Sequence, residues 1–522
     1  MRSSEPLGEF APRRSPRLAL GVAAVLALAA NVAHGDELSD LRQRLDAQEQ
    51  QIKALERKLE QRDATPQATA GAGESTGQLE TQQQHIRVLE RKLELNDEAA
   101  RAAAASTPVV KAGPKGFSIA SRDGENVLKL RGLLHFDGRH FLDDNTAETA
   151  DAFLLRRVRP TIEGTLNGIY DFRFTPDFAG GKTIILDAWL AARIKPWAVV
   201  TAGKFKVPVG LERFASSGDL RFIERGFPTS LLPNRDLGVQ LGGDLAGGAF
   251  NYSFGYFNGV SDGTSADSNT PTADAENDTR GDWAARVFFK PFLNSDNFAL
   301  RGLGFGVGGT YVDSTGNSTT SLLPGYRTPG QQSFFSYRST TAAAGTTPVI
   351  NGTFADGERL RITPQAYYYL NSFRVLGEYA QVSQDVTRVT PTAGTRSASL
   401  DNTAWQVQLA WFLTGEDQAF KGFTPSSVFS LADHTWGAFE LVARYHELDI
   451  DDDAFTGGAD SFANPASAAS KASAWGVGVN WYLNQNYKWS LNYDVTSFDG
   501  GAADGADRPD EKALFTRFGV NF

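Results

Sequence analysis

The segment Phe153-Leu-Leu-Arg-Arg-Val-Arg-Pro160 sets three guanidinium groups within four positions. Read as an extended strand, whose side chains alternate between two faces, it puts Arg157 and Arg159 on one face with Thr161, Glu163 and Thr165. Arg156 falls on the other face. A second pair, Lys204 and Lys206, shares a face in Thr201-Ala-Gly-Lys-Phe-Lys-Val-Pro208. The connection that follows, up to Asn234-Arg-Asp236, carries Arg213, Arg221 and Arg225 with Glu212, Asp219 and Glu224. Lys129 and Arg131 share a face of another alternating stretch, Val127 to Phe141. Fixed guanidiniums bind oxyanions through paired hydrogen bonds, and clustered cations in a narrow passage draw anions in by their field. The competing reading is that these cations alternate with carboxylates only to keep an aqueous passage wet.

Catalysis has no comparable constellation. The six His show no ligand spacing, and neither a Gly-x-Ser-x-Gly elbow nor a phosphate-binding Gly-rich loop is found. Asp449, Asp451, Asp452 and Asp453 lack the spacing of a Ca²⁺ loop and read as a solvated loop. No enzyme and no cofactor is expected.

These cations need strands to position them. From Phe117 the apolar period is two: Leu128, Leu130, Leu134 and Phe136 oppose Lys129, Arg131, His135, Asp137 and Arg139. Tyr170 to Phe178 and Thr183 to Ile194 repeat the pattern, the latter with Asp187 and Trp189 on its polar side. Strands near Val127, Phe153, Tyr170, Thr183, Ala198, Leu237, Phe250, Trp283, Leu303, Arg359, Phe373, Thr403, Trp436, Ala472, Tyr487 and Ala513 number about sixteen, enough to enclose an aqueous channel. Turns such as Leu166-Asn-Gly168 and Lys195-Pro-Trp197 are short, while connections such as Val260 to Thr279, Val312 to Asp356 and Asp449 to Ser470 are long. With aromatics gathered at strand ends, this describes a transmembrane barrel. The stretch after Pro208 is too apolar for an outside loop (Leu211, Phe214, Leu220, Phe222, Ile223, Phe227) and reads as a loop folded into the lumen. About half of the barrel's Lys and Arg precede Asp236, although the chain's net charge is -10.

The chain's last ten residues alternate likewise: Leu514, Thr516, Phe518, Val520 and Phe522 against Phe515, Arg517, Gly519 and Asn521. Such an ending resembles bacterial outer-membrane β-barrels, in which the terminal strand closes the barrel and the final Phe is an assembly signal. The absence of Cys fits export through an oxidising periplasm.

Residues 1–35 read as a signal peptide, with Arg13, Arg14 and Arg17 before the apolar run Leu18 to Ala30 and a cleavage site at Ala33-His-Gly35. Residues 36–100 read as a periplasmic coiled coil: Leu38, Leu41, Leu45, Gln48, Ile52, Leu55 and Leu59, then Leu79, Gln82, Ile86, Leu89 and Leu93, keep a heptad seam. A helical hairpin packed on itself is the alternative. Residues 101–116, with Pro108 and Pro114, read as a linker, and 117–522 as the barrel.

The strand with Arg156, Arg157 and Arg159, the runs Leu186-Asp-Ala-Trp-Leu190 and Gly203-Lys-Phe-Lys-Val-Pro-Val-Gly-Leu-Glu212, and Leu413-Thr-Gly-Glu416 resemble the phosphate-selective porin O and P family. The resemblance covers roughly Gly116 to Phe522. It implies a trimeric sixteen-stranded porin passing phosphate or polyphosphate by passive diffusion. Its constriction residues would match Arg156, Arg157, Lys204, Lys206 and Asp187 here. The family's long Arg ladder is missing; Arg359 and Arg361 come nearest to it.

The fold expected is therefore all-β, a sixteen-stranded antiparallel transmembrane β-barrel with an N-terminal periplasmic coiled-coil segment. The function expected is an outer-membrane channel for small anions, phosphate first, surrounded by outer-membrane lipid and lipopolysaccharide and assembled as a homotrimer. The coiled coil would reach peptidoglycan; no nucleic acid is bound. The rivals are a general or cation-preferring diffusion porin and an envelope-tethering structural protein.

Overall fold

Alternation of apolar and polar side chains favours strands with one lipid face and one wet face, and only closure into a barrel pairs every backbone group at membrane depth. A computed structural model gives the architecture. It describes residues 107–522 apart from 143–150, 182, 266–280, 318–319, 341–351, 391–392 and 421, together with 83–98 and scattered positions from 43 to 81. Residues 1–107 and 108–522 are separate units. In the first, 83–98 is helical, with Ile86, Leu89 and Leu93 half-buried. The expected signal peptide and most of the first heptad stretch lie outside the described residues.

The second unit is a closed antiparallel barrel. Its strands are β1 (Val127–Phe141), β2 (Ala152–Leu166), β3 (Tyr170–Asp177), β4 (Ile184–Lys195), β5 (Ala198–Lys206), β6 (Arg235–Leu245), β7 (Phe250–Phe257), β8 (Asp282–Phe289), β9 (Leu303–Thr315), β10 (Phe354–Leu370), β11 (Phe373–Thr390), β12 (Gly394–Phe412), β13 (Ala438–Asp449), β14 (Ala469–Tyr482), β15 (Tyr487–Gly500) and β16 (Glu511–Asn521). Each pairs with the next. β16 returns to β1, from Ala513 opposite Phe141 to Asn521 opposite Leu133. Leu128, Leu130, Leu134 and Phe136 are exposed on the outer wall, while His135 and Asp137 between them are buried in the lumen. The expected sixteen strands are thus all present.

The two rims differ. At the rim holding both ends of the barrel sequence the turns are tight: Asn167 and Gly168 take φ of 49° and 72°, the left-handed conformation that Asn and Gly adopt most readily. Two connections there are longer, 290–302 and 413–437. In the second, Phe420 stacks on Tyr367 and Phe423 lies between Phe412 and Tyr482 on the inner wall.

Within the stretch read as a linker, Val109–Gly113 is a strand. Val109–Gly113 and Gly116–Ala120 form a hairpin whose second strand pairs with Val127 to Leu130 of β1, continuing the sheet below the closing strand. Its β-branched valines and the edge-on contact of Phe117 with Phe522 outweigh the two prolines, which stand outside the paired positions.

Residues 207–234 lie within the lumen, as expected, packed on the far wall. The Glu378 carboxylate of β11 accepts from the Leu211 amide at 2.6 Å, Asn492 of β15 accepts from the Ile223 amide at 2.8 Å, and His446 Nδ1 of β13 accepts from the Phe227 amide at 3.1 Å. Buried Phe227, Leu231 and Leu232 seal the contact. Burial of such apolar side chains favours this seat by roughly 1.5–3 kcal/mol each. The open part of the lumen is left against β1 to β6.

Candidate functional site

Between the lumen loop and the strand wall lie two cavities of about 560 Å³ each. The first reaches toward the rim of long loops and is lined by Arg156, Arg157, Arg159, Arg213, Arg225, Arg235 and Arg327, with only Asp177, Glu224 and Asp262 as carboxylates among the described residues. The second reaches toward the opposite rim and is nearly balanced: Arg131, Arg159, Arg173, Lys206 and Arg235 face Glu163, Asp171, Asp187 and Asp219. Arg159, Ser217 and Arg235 line both, marking the passage between them.

Each wall arginine at that passage is held by a carboxylate. Arg159 Nε donates to Asp177 at 2.7 Å and its Nη1 to Ser217 Oγ at 3.1 Å. Arg235 Nε donates to Asp187 at 2.8 Å. Facing them, Lys206, Arg213 and Arg225 meet only carbonyl oxygens among the described residues. Lys206 Nζ donates to the Ala215 carbonyl at 3.0 Å, Arg225 to the carbonyls of Glu212 and Ala215, and Arg213 to that of Thr229. No ion pair joins Lys206, Arg213 or Arg225 to a carboxylate among the described residues. Cations so placed have no fixed carboxylate at ion-pair distance among the described residues.

Arg157 and Arg159 line the cavity as the strand pattern requires, but Arg156 does not point outward. The pairing of β1 with β2 shifts between His135 and Phe136, so that Arg156 is an extra residue, a β-bulge. The bulge turns Arg156 into the lumen, where its Nε and Nη2 donate to both oxygens of Glu224 at 2.6 and 3.1 Å. Arg157 is buried and donates to His135 Nδ1 at 3.1 Å. Burial opposes ionisation of Glu224, but the guanidiniums of Arg156, Arg157 and Arg517 outweigh it and hold the carboxyl well below its usual range.

Lys204 and Lys206 are not brought together. Lys204 pairs with Ala188 and Leu237, one step from Trp189 and Gly203 on the lumen side, and it lines neither cavity. Lys206 reaches the passage because it ends β5, where the chain turns into the loop. Arg221 is also remote: it pairs with Glu440 at 2.8 Å, buried against the far wall. Arg359 and Arg361 are bound to Asp282 and Asp262. Lys129 and Arg131 face the lumen on β1, with Arg131 paired to Glu163 at the lower cavity.

Arg235, Asp177 and Glu224 carry more of this geometry than the sequence pattern assigned them. Arg235 had one available signal, its place as the first residue of the strand that leaves the lumen loop.

Comparison with known proteins gives the family. Residues 128–522 match the family described as phosphate-selective porin O and P. An uncharacterized protein of Caulobacter vibrioides is 23% identical over 493 residues, covering 91% of this chain and 88% of that protein. Porin O of Pseudomonas aeruginosa is 24% identical over 401 residues, covering 72% and 84%. Among solved structures, the outer membrane channel DcaP of Acinetobacter baumannii aligns with a TM-score of 0.46 at 13% identity, covering 78% of this chain and all of that one. An anion-selective porin from Comamonas acidovorans aligns at 0.43 and 12%, covering 76% of this chain and all of that one. With three quarters of its length matched by the family, the chain belongs to the phosphate-selective porin O and P family of outer-membrane diffusion channels.

Proposed function

We propose that the channel passes small anions in preference to cations, with phosphate-like oxyanions the favoured class. The observation that carries this reading is the group Lys206, Arg213 and Arg225, three cations without a carboxylate partner among the described residues, around a passage whose wall holds Arg159 and Arg235. Desolvating an unpaired charge is costly, so such cations are best explained by a mobile counter-ion. Asp177 and Asp187 orient the wall arginines and reduce the depth of the well. An anion then binds firmly enough to enter and weakly enough to leave. Lys129 and Arg131 would extend the positive wall toward the second rim.

In the same reading the rim of long loops faces the outside and the rim with the barrel's ends faces the periplasm. The barrel stands in lipid and lipopolysaccharide as a homotrimer, and residues 36–100 form a periplasmic coiled coil that can touch peptidoglycan. The half-buried Ile86, Leu89 and Leu93 support a helical seam there.

A planar bilayer under a salt gradient tests the channel reading, with phosphate then titrated into chloride. A reversal potential on the anion side with phosphate block is expected. A cation-side potential without block would leave a general diffusion porin.

A further inference from the structure

Glu224 already occupies, with its own carboxylate, a place built for an oxyanion. The bulge at Arg156 aims two consecutive guanidiniums at one point, which a regular strand cannot do. Arg156 grips the carboxylate side-on with both nitrogens. Arg157 Nη2 stands 3.7 Å from Oε2, and Arg139 Nη2 stands 3.4 Å from Oε1. Arg517 is also near, but both oxygens of Asp137 neutralise it at 2.6 Å. One carboxylate therefore serves three arginines that have no other ion-pair partner among the described residues. Arg139 Nε is buried without a hydrogen bond.

The first cavity opens on Arg156, Arg157 and Glu224 together. The backbone beside the carboxylate is fixed independently of it. The Ile223 amide donates to Asn492, the Ile223 carbonyl accepts from Arg517 at 2.7 Å, and the Glu224 carbonyl accepts from Arg444 at 2.8 Å. These three bonds seat the loop without using the Glu224 carboxylate.

We propose that Glu224 is a tethered counter-ion for Arg139 and for the expected constriction residues Arg156 and Arg157, and that a permeating oxyanion passes this station by exchanging places with it. The proposal rests on the anion-channel reading. A tethered competitor has an effective concentration of about millimolar or more. It weakens net affinity for the free anion and shortens its stay, which a conducting pore requires.

The test is block of chloride current by inorganic phosphate in planar bilayers, comparing the full-length protein with Glu224→Gln, which keeps shape and removes charge. The half-blocking concentration is expected to fall about tenfold or more once the competitor is gone. Adding Arg156→Gln to Glu224→Gln should reverse the gain. An unchanged or weaker block in Glu224→Gln overturns the proposal and leaves Glu224 a structural anchor. If Glu224→Gln yields no folded barrel, Arg156→Gln alone decides: block several-fold weaker is expected, and unchanged block overturns the proposal. An anion-selective wild type with indifferent variants contradicts only this exchange. A cation-selective wild type without block contradicts the channel reading and the exchange with it.

Discussion

Arg235, the first residue of β6, donates its Nε–H to the Asp187 carboxylate of β4 at 2.8 Å, across the strand that lies between them. This bond fixes the guanidinium at the junction of the two cavities and also cancels its charge. Asp187→Asn should free the charge. A full charge about 4 Å from a passing anion is worth about 1 kcal/mol in water-like surroundings, a factor of about five. Anion preference, read from the reversal potential, should rise by about that factor in Asp187→Asn and fall similarly in Arg235→Gln. Equal values in both variants would remove this pair from the conduction path.

Lys206 and Lys204 stand two residues apart, yet only Lys206 lines a cavity. Lys206→Gln with Arg225→Gln removes two cations lacking carboxylate partners among the described residues and should lower the anion-to-cation permeability ratio about tenfold or more. Lys204→Gln should leave that ratio within about twofold of wild type. A larger effect at Lys204 than at Lys206 would mean that the passage runs elsewhere.

The strand number, the lumen loop and the inward aim of Arg157 and Arg159 were legible because each depends on local period or composition. Arg156 was not, because a bulge inverts the side of one residue and leaves no mark in an alternating pattern. Lys204 was misplaced because parity counted from one strand does not say which face is the lumen; its pairing with Ala188 and Leu237 does. Arg221 has the same charge and the same loop as Arg225, but Glu440, its partner, is more than two hundred positions away. The inward packing of Phe423 leaves no local pattern, because it depends on Phe412 and Tyr482 of two other strands.

Phe522 meets Gly132 at the closing seam, where each amide donates to the other's carbonyl at 3.0 Å. A Cβ on Gly132 would overlap the Phe522 ring. Gly132→Val should therefore push the terminal ring off β1 and lower the thermal stability of the seam. Deleting Phe522 should lower the folded yield as well. Both are read from the temperature at which the folded barrel's gel mobility is lost and from the amount recovered in the membrane. Wild-type yield after deletion would separate the last residue from assembly.

Arg221 and Glu440 decide whether the loop stays on the far wall. Their ion pair spans 2.8 Å in a site where both are essentially buried. Glu440 also accepts from Gln418 at 2.7 Å, Tyr482 at 2.9 Å and Asn480 at 3.0 Å, so its charge is fully engaged. Removing one partner strands the other charge in low dielectric, and such losses run to about 3–5 kcal/mol. Replacing both by apolar residues of similar volume strands neither. Glu440→Gln and Arg221→Met should each destabilise the barrel and make the open-channel current noisier as the loop leaves its seat. Arg221→Met with Glu440→Met should recover much of the loss, giving a coupling well above the few tenths of a kcal/mol of independent sites. Thermal melting supplies the cycle, and current noise shows whether the loop is the element released. Additive losses with quiet channels would mean that the backbone bonds at Leu211, Ile223 and Phe227 hold the loop without this pair.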